Sequence, residues 1–152
     1  MQINRSALKF WLPPLVWMAV IFTASGDTQS THHSSILFEP LLRWLFPQMP
    51  QTRIEEIHYL FRKCAHLTEF AVLALLFWRA IRQPQKNAAR PWRWPEAGLA
   101  LALVFLCAAS DEFHQIFVAT RTAQVSDVVV DTLGGAIGLL LLWLIGKVLK
   151  RW

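Results

Sequence analysis

The sequence predicts an all-α integral membrane protein with four transmembrane helices and an extracytoplasmic interfacial or re-entrant segment between the first and second. Three observations support this prediction. Of the 152 residues, 55% are hydrophobic and 16% are charged, against about 45–50% and about 25% in soluble domains. The mean hydropathy is +0.35. Four apolar stretches each approach the roughly 20 residues that cross a bilayer, at about 8–25, 64–81, 97–118 and 126–148.

The length of the chain favours one membrane domain over residues 1–152. The four spans leave an outer loop, 26–61, and an inner loop, 82–95. The first stretch has the basic flank of a signal peptide and ends in a small-residue run at 23–25 that resembles a cleavage site. Its length, two tryptophans and a proline pair favour a retained anchor.

The basic residues predict the orientation. With a cytoplasmic N-terminus, ten of the fifteen basic residues fall in inner segments, where Glu96 is the only acid. The outer side then holds five basic residues and nine carboxylates. Because Lys and Arg are retained on the cytoplasmic side, we predict that both termini are cytoplasmic. The basic excess is thereby explained by topology, and we expect membrane lipids as partners and no nucleic acid.

Local signals predict where the helices begin. Thr52 and Glu55 have the spacing of a capping box, and apolar residues follow at three- and four-residue steps, so one helix should begin there and continue into the second span. Pro95 suits the first turn of the third span, and Ser126 suits the N-cap of the fourth. The apolar segment 36–46 is too short to cross a bilayer and predicts the interfacial or re-entrant piece.

Ionisable residues interrupt the apolar runs at three span ends. Inside a bilayer such groups mark a function or a partnered interior. They are Lys63, His66 and Glu69, then Asp111, Glu112 and His114 together with the neutral amide of Gln115, and then Asp127 and Asp131. In the predicted topology these three ends lie on the outer side, so we expect one outward-facing polar pocket. Arg121 lies in the short turn between the third and fourth spans. It is expected to cover the pocket or to bind an anion there.

These residues carry a resemblance to a known family. The motifs are Lys63-x-x-His66-x-x-Glu69-Phe70, Asp111-Glu112-Phe113-His114-Gln115 with Arg121, and Ser126-Asp127 with Asp131-Thr132-x-Gly134. In this order they resemble the VanZ-like family, small multi-pass bacterial membrane proteins named after a factor linked to teicoplanin resistance. The resemblance covers about Phe22 to Gly138. It implies a bacterial cytoplasmic membrane protein and suggests a part in glycopeptide resistance.

The chain departs from the family pattern at three places. Phe70 stands where the family often has Tyr, and Ala119-Thr120 stands where it has Pro-Gly before the arginine. Gly26 replaces a second serine after Ser25. The missing Tyr hydroxyl removes a polar contact, and the changed turn alters the placement expected for the arginine.

Three classes of function fit the candidate pocket. The first is binding of a polar or anionic lipid-linked or cell-envelope ligand, such as a lipid-linked precursor or a glycopeptide. Its candidate ligand-binding residues are Lys63, His66, Glu69, Asp111, Glu112, Gln115, Arg121, Asp127 and Asp131. The second is an enzyme acting on such a ligand, with acid-base candidates His66, Glu69, Glu112 and His114. The third is a proton-coupled carrier.

Each feature also has a structural explanation. Lys63 could anchor at the headgroups, and His66 and Glu69 could lock helices together by pairing with Lys63 or an arginine. Gly134 and Gly138 have the spacing of close helix approach, for which packing within the chain is favoured over an oligomer. The acids and histidines would suit zinc, but no H-E-x-x-H or cysteine framework accompanies them, so we predict neither metal nor cofactor.

Reporter fusions test the predicted topology. A fusion at position 40, in the outer loop, and one at position 88, in the inner loop, should report opposite compartments, because the basic inner loop remains in the cytoplasm. Alkaline phosphatase and fluorescent-protein activity measure the two compartments. Matching signals at both positions would contradict the orientation.

Overall fold

A computed structural model describes residues 5–26, 39–83, 91–117 and 124–152. Within these ranges it is helical and contains no strand. The helices are α1 (Arg5–Gly26), α2 (39–45), α3 (Gln51–Arg82), α4 (Trp94–Gln115) and α5 (Val125–Val148). All but α2 are long and apolar enough to cross a membrane. The predicted all-α architecture with four spans is therefore confirmed for the described residues.

The helix α3 is longer than a bilayer requires. Its 32 residues extend about 48 Å at about 1.5 Å per residue. A hydrocarbon core of about 30 Å accommodates only about 39 Å of helix even at a tilt of about 40°. At least one end of α3 therefore extends beyond the apolar core, and its first turns are rich in polar and charged residues. There Ile54 is buried, as is Leu42 of α2, and Arg43 of α2 donates a hydrogen bond to Gln51. The interfacial or re-entrant placement of this segment stays a prediction.

Two helix starts differ from the predicted caps. The N-cap of α3 is Pro50, whose backbone is extended, so Thr52 lies inside the first turn and its capping box is not formed. The carbonyl oxygen of Pro50 accepts hydrogen bonds from the backbone N–H groups of Arg53 and Ile54, so the helix begins before Thr52. The N-cap of α5 is Gln124, so the prediction for Ser126 was two residues late. Pro95 lies in the first turn of α4, as predicted.

The end of α4 comes earlier than the expected span boundary. The helix ends at Gln115, and residues 116–117 form a turn whose amides bond to carbonyls three residues earlier. Position 118, at the predicted boundary, lies outside the described residues, as do 27–38 of the outer loop and 84–90 of the inner loop.

Two glycines of α5 set the spacing between α5 and α3. A β-carbon on Gly134 would lie 2.5 Å from the carbonyl oxygen of Leu67, and one on Gly138 would lie 2.9 Å from the carbonyl oxygen of Ala71. Small residues allow such backbone contact between membrane helices. Both contacts advance by four residues on each helix, so α3 and α5 run in the same direction. This register places Lys63 level with the first turns of α5.

An apolar core fills the middle of the bundle. Phe70 and Leu73 of α3 and Val104 of α4 are fully buried there. The helix α1 joins this core through Ile21, and the Trp17 indole N–H donates to the carbonyl oxygen of Glu69 at 2.9 Å. Large apolar side chains on the outward faces are exposed, as expected where the neighbouring phase is lipid.

The end of the bundle where α3 ends and α4 begins is lined with tryptophan, and we call it the tryptophan end. The rings of Trp78 and Trp92 are stacked with centroids 5.2 Å apart, and Trp152 packs against both. The guanidinium of Arg82 lies 4.9 Å from the Trp78 ring centroid and 3.7 Å from a carboxylate oxygen of Glu96. Aromatic belts of this kind form at membrane interfaces.

Matched glycine substitutions test the α3–α5 contact. Gly134→Ala places its β-carbon against the backbone of Leu67, which cannot move aside as a side chain could, so we expect a loss of about 1–3 kcal/mol of stability. Gly98→Ala is the control, because nothing lies within 4 Å of that position. It should keep or slightly raise the stability, since Ala favours helix. Thermal unfolding in detergent measures both, and equal shifts would contradict the contact.

Candidate functional site

Polar side chains from four helices meet at the end of the bundle opposite the tryptophan end. The helices α1 and α4 end there, α5 begins there, and α3 passes alongside. We call this group the polar cluster, and it consists of Ser25, Lys63, Asp111, Glu112, Gln115, Asp127 and Asp131. Apart from the pair Lys63 and Asp127, its members are buried. The structure thus brings together six of the sequence-predicted residues and adds Ser25.

Asp111 is the most enclosed member of the polar cluster, with a side chain that is 0% exposed. Its Oδ2 accepts a hydrogen bond from the Ser25 hydroxyl at 2.6 Å and one from Gln115 Nε2 at 3.0 Å. Gln115 Nε2 also donates to Ser25 Oγ at 2.7 Å. Asp111 Oδ1 is buried and has no hydrogen-bond partner among the described residues. The network ties the end of α1 to the last turn of α4 and leaves one acceptor unused.

Lys63 and Asp127 form the rim of the cluster. Lys63 Nζ lies 2.5 Å from Asp127 Oδ1, and their side chains are 24% and 28% exposed. The lysine also lies over the ring of Tyr59, 5.4 Å from its centroid. The sequence suggested that His66 or Glu69 could pair with this lysine. In the structure Lys63 instead pairs with Asp127. The parallel register of α3 and α5 places the lysine beside the first turn of α5.

Glu112 connects α4 to the start of α5. Its Oε2 accepts the backbone N–H of Gln124, the N-cap residue of α5, at 2.9 Å. A carboxylate at a helix N-terminus is favourable, since the unpaired amides there carry partial positive charge. About two turns beyond Gln124 in α5, Asp131 is 3% exposed. It interacts electrostatically with the carboxylates of Asp111, Asp127 and Glu112.

His66 and Glu69 lie beside the cluster on the same helix as Lys63. His66 Nδ1 is 3.8 Å from Glu69 Oε2, and both side chains are partly exposed. The Glu69 carboxylate interacts electrostatically with that of Asp111. These two residues therefore flank the buried part of the cluster, where they could exchange protons with a bound molecule.

His114 and Arg121 are not part of the described cluster. His114 is exposed, and its ring lies 6.1 Å from that of Phe22. It points away from Glu112 because two residues correspond to about 200° around a helix. Arg121 lies outside the described residues, so its expected position over the pocket stays a prediction.

Ser25 was absent from the sequence-predicted site, although it is 2% exposed and bonded to Asp111. The small-residue run around it suggested a cleavage-like signal, and the family resemblance named Ser25 only as the residue before Gly26. The predicted topology could have identified it, since the first span ends on the same side as Asp111. A serine at that position is the nearest polar group that α1 can offer.

The carboxylates of the cluster are not arranged as a metal site. Among the described residues, no group of three or more His, Cys, Asp or Glu side chains could hold a metal ion. The polar cluster offers hydrogen-bond acceptors in a low-dielectric setting. The ammonium group of Lys63 lies at its rim. Such a site suits a ligand rich in N–H or O–H donors.

Comparison with known protein families identifies a family model that matches the chain. The family model described as VanZ/LLP1 matches residues 10–146, which is most of the chain and includes every residue of the polar cluster. Neither the curated proteins nor the solved structures contain a match.

Paired serine substitutions test the buried network. Ser25→Ala removes the hydroxyl that bonds to Asp111 and Gln115, and we expect a loss of about 1–3 kcal/mol because buried polar groups lose a partner. Ser110→Ala removes an exposed hydroxyl that bonds only within α4, and it should change stability by less than about 0.5 kcal/mol. Thermal unfolding in detergent compares them. A Ser25→Ala protein as stable as Ser110→Ala would contradict the network.

Proposed function

The chain belongs to the VanZ/LLP1 family, and on that premise we propose that its polar cluster faces outward and binds a polar or anionic lipid-linked or cell-envelope ligand. The protein is a multi-pass membrane protein, which we place in the bacterial cytoplasmic membrane with both termini inside. Through this binding it contributes to glycopeptide resistance of the teicoplanin type.

The unused acceptor of Asp111 is the observation that carries this proposal. A carboxylate that is sealed from solvent within a membrane helix bundle is costly unless its oxygens are paired. Ser25 and Gln115 satisfy one oxygen, and the other has no partner among the described residues. A ligand that donates a hydrogen bond to this oxygen would remove the cost. A purely structural network would gain nothing from leaving it unpaired.

The rest of the cluster offers complementary groups for a polar headgroup. Lys63 at the partly exposed rim is available to a phosphate or carboxylate, in competition with Asp127. Deeper in the cluster, Asp131 and Gln115 can accept hydroxyl or amide donors. Arg121, which the sequence places in the turn before α5, is the second expected contact for an anion.

The distribution of charge supports an outward-facing cluster. The tryptophan end is flanked by basic residues at the end of α3, before α4 and at the end of α5. Basic segments remain in the cytoplasm, so the opposite end, which holds the polar cluster, faces the outer side. Ligands of the cell envelope are present on that side.

An enzymatic role on the same ligand is the second candidate. The contact between His66 Nδ1 and Glu69 Oε2, at 3.8 Å, favours it, because such a pair can take up and release a proton beside a bound molecule. His114, the other histidine considered, lies outside the cluster.

Co-purification of lipids tests binding. The full chain is extracted in mild detergent, and bound lipids are identified by native mass spectrometry. We expect the wild type to retain a polar cell-envelope lipid that Asp111→Asn does not retain. If both proteins retain the same lipids in the same amounts, the binding proposal is wrong.

Charge-removing substitutions separate function from stability. Glu112→Gln and Glu69→Gln keep size and hydrogen-bonding capacity but remove charge and proton exchange. They leave the ion pair of Lys63 with Asp127 intact, so we expect unfolding temperatures near that of the wild type and loss of teicoplanin resistance in cells.

The matched control is Glu56→Gln, an exposed acid on α3 that pairs with Arg53 among the described residues. It should alter neither stability nor resistance. Equal losses of stability and resistance in Glu112→Gln and Glu69→Gln would favour the structural explanation, in which these acids lock helices together.

A further inference from the structure

We propose that the ligand presents a primary ammonium group to the buried part of the polar cluster, so that the bound headgroup is an amine. This inference rests on the proposed function and names the chemistry of its ligand. The amine would donate to Asp111 Oδ1, the buried oxygen that has no partner among the described residues, and its charge would be balanced by Asp131.

The charge balance of the cluster favours a cation. As defined above, the polar cluster contains four carboxyl groups and one ammonium group, that of Lys63. Asp127 already pairs with this ammonium group on the partly exposed rim, where its Oδ1 lies 2.5 Å from Lys63 Nζ. Asp111, Glu112 and Asp131 lie deeper and are 0%, 7% and 3% exposed. Like charges in a low-dielectric setting repel strongly, so a positive group among them is stabilised.

The hydrogen bonds of Asp111 indicate what kind of group is missing. Both described partners, the Ser25 hydroxyl and Gln115 Nε2, are neutral donors, and both bond to Oδ2. Neither neutralises the carboxylate. A donor on Oδ1 that also carries positive charge would supply the hydrogen bond and the charge in one group, as a primary ammonium does.

The grouping of the acids among the described residues favours an ammonium group over a metal ion. Divalent ions need several oxygens converging at about 2.0–2.6 Å. No group of acids or histidines among the described residues could hold an ion in this way. An ammonium group donates hydrogen bonds to carboxylate oxygens at about 2.7–2.9 Å and in a looser geometry, since its N–H bonds act separately. Lys63 and Asp127 form this type of contact at the rim.

Two lipids that differ only at the headgroup nitrogen provide the test. The full chain is placed in phosphatidylglycerol nanodiscs that contain equal amounts of phosphatidylethanolamine and phosphatidylcholine, and retained lipids are counted by native mass spectrometry. Both added lipids carry the same phosphate and a positive nitrogen, but only ethanolamine has N–H donors. We expect phosphatidylethanolamine to be retained over phosphatidylcholine by about tenfold, equivalent to about 1.4 kcal/mol.

Substitutions assign the preference to the cluster. Asp111→Asn keeps an oxygen that accepts from Ser25 and should abolish the preference for phosphatidylethanolamine. Asp131→Asn should weaken it, and it carries the test if Asp111→Asn fails to unfold cooperatively. Glu56→Gln, an exposed position about two turns before Lys63 on α3, should retain the full preference. A preference that survives both cluster substitutions would overturn the proposal.

The remaining outcomes separate this inference from the proposed function. Equal retention of both lipids by the wild type, with loss of both in Asp111→Asn, overturns the ammonium proposal while lipid binding by the cluster stands. Equal retention by the wild type and Asp111→Asn overturns both. Competition with soluble O-phosphoethanolamine then identifies the source of the amine: displacement of the lipid supports recognition of the headgroup alone, and failure to displace it supports recognition of the amine on an anchored lipid.

Discussion

The close contact between α3 and α5 is the constraint on which the rest of the structure depends. Gly134 and Gly138 bring the backbone of α5 against Leu67 and Ala71, and the two helices run in parallel. With the spacing and register set in this way, Lys63 can reach the first turn of α5. A side chain at either glycine would push the two helices apart.

The arrangement of polar groups follows from the cost of placing charge in a bilayer. The middle of the bundle is apolar, around Phe70, Leu73 and Val104, and charged groups are gathered at its two ends. At the tryptophan end, Arg82 is covered by aromatic rings and faces Glu96. At the other end the acids of the cluster outnumber the described lysine.

The chemistry of the cluster narrows the function more than the family does. Membership of the VanZ/LLP1 family establishes the type of membrane protein. The contacts of Asp111 and Asp127 describe a site with an occupied ammonium at its rim and an unpaired acceptor at its base. A headgroup with an anion and an amine could meet both parts, and His66 beside Glu69 would lie next to it.

The sequence by itself determined the architecture, because crossing a bilayer demands long apolar helices and composition alone reveals them. It also determined which polar residues share one end, since successive spans alternate in direction. Only the tertiary structure decided their partners. Ser25 donates a hydrogen bond to Asp111, Lys63 pairs with Asp127, and His114 is exposed, away from the polar cluster. Those outcomes depend on helix rotation and on the register set by the glycine contacts, which involve residues distant in sequence.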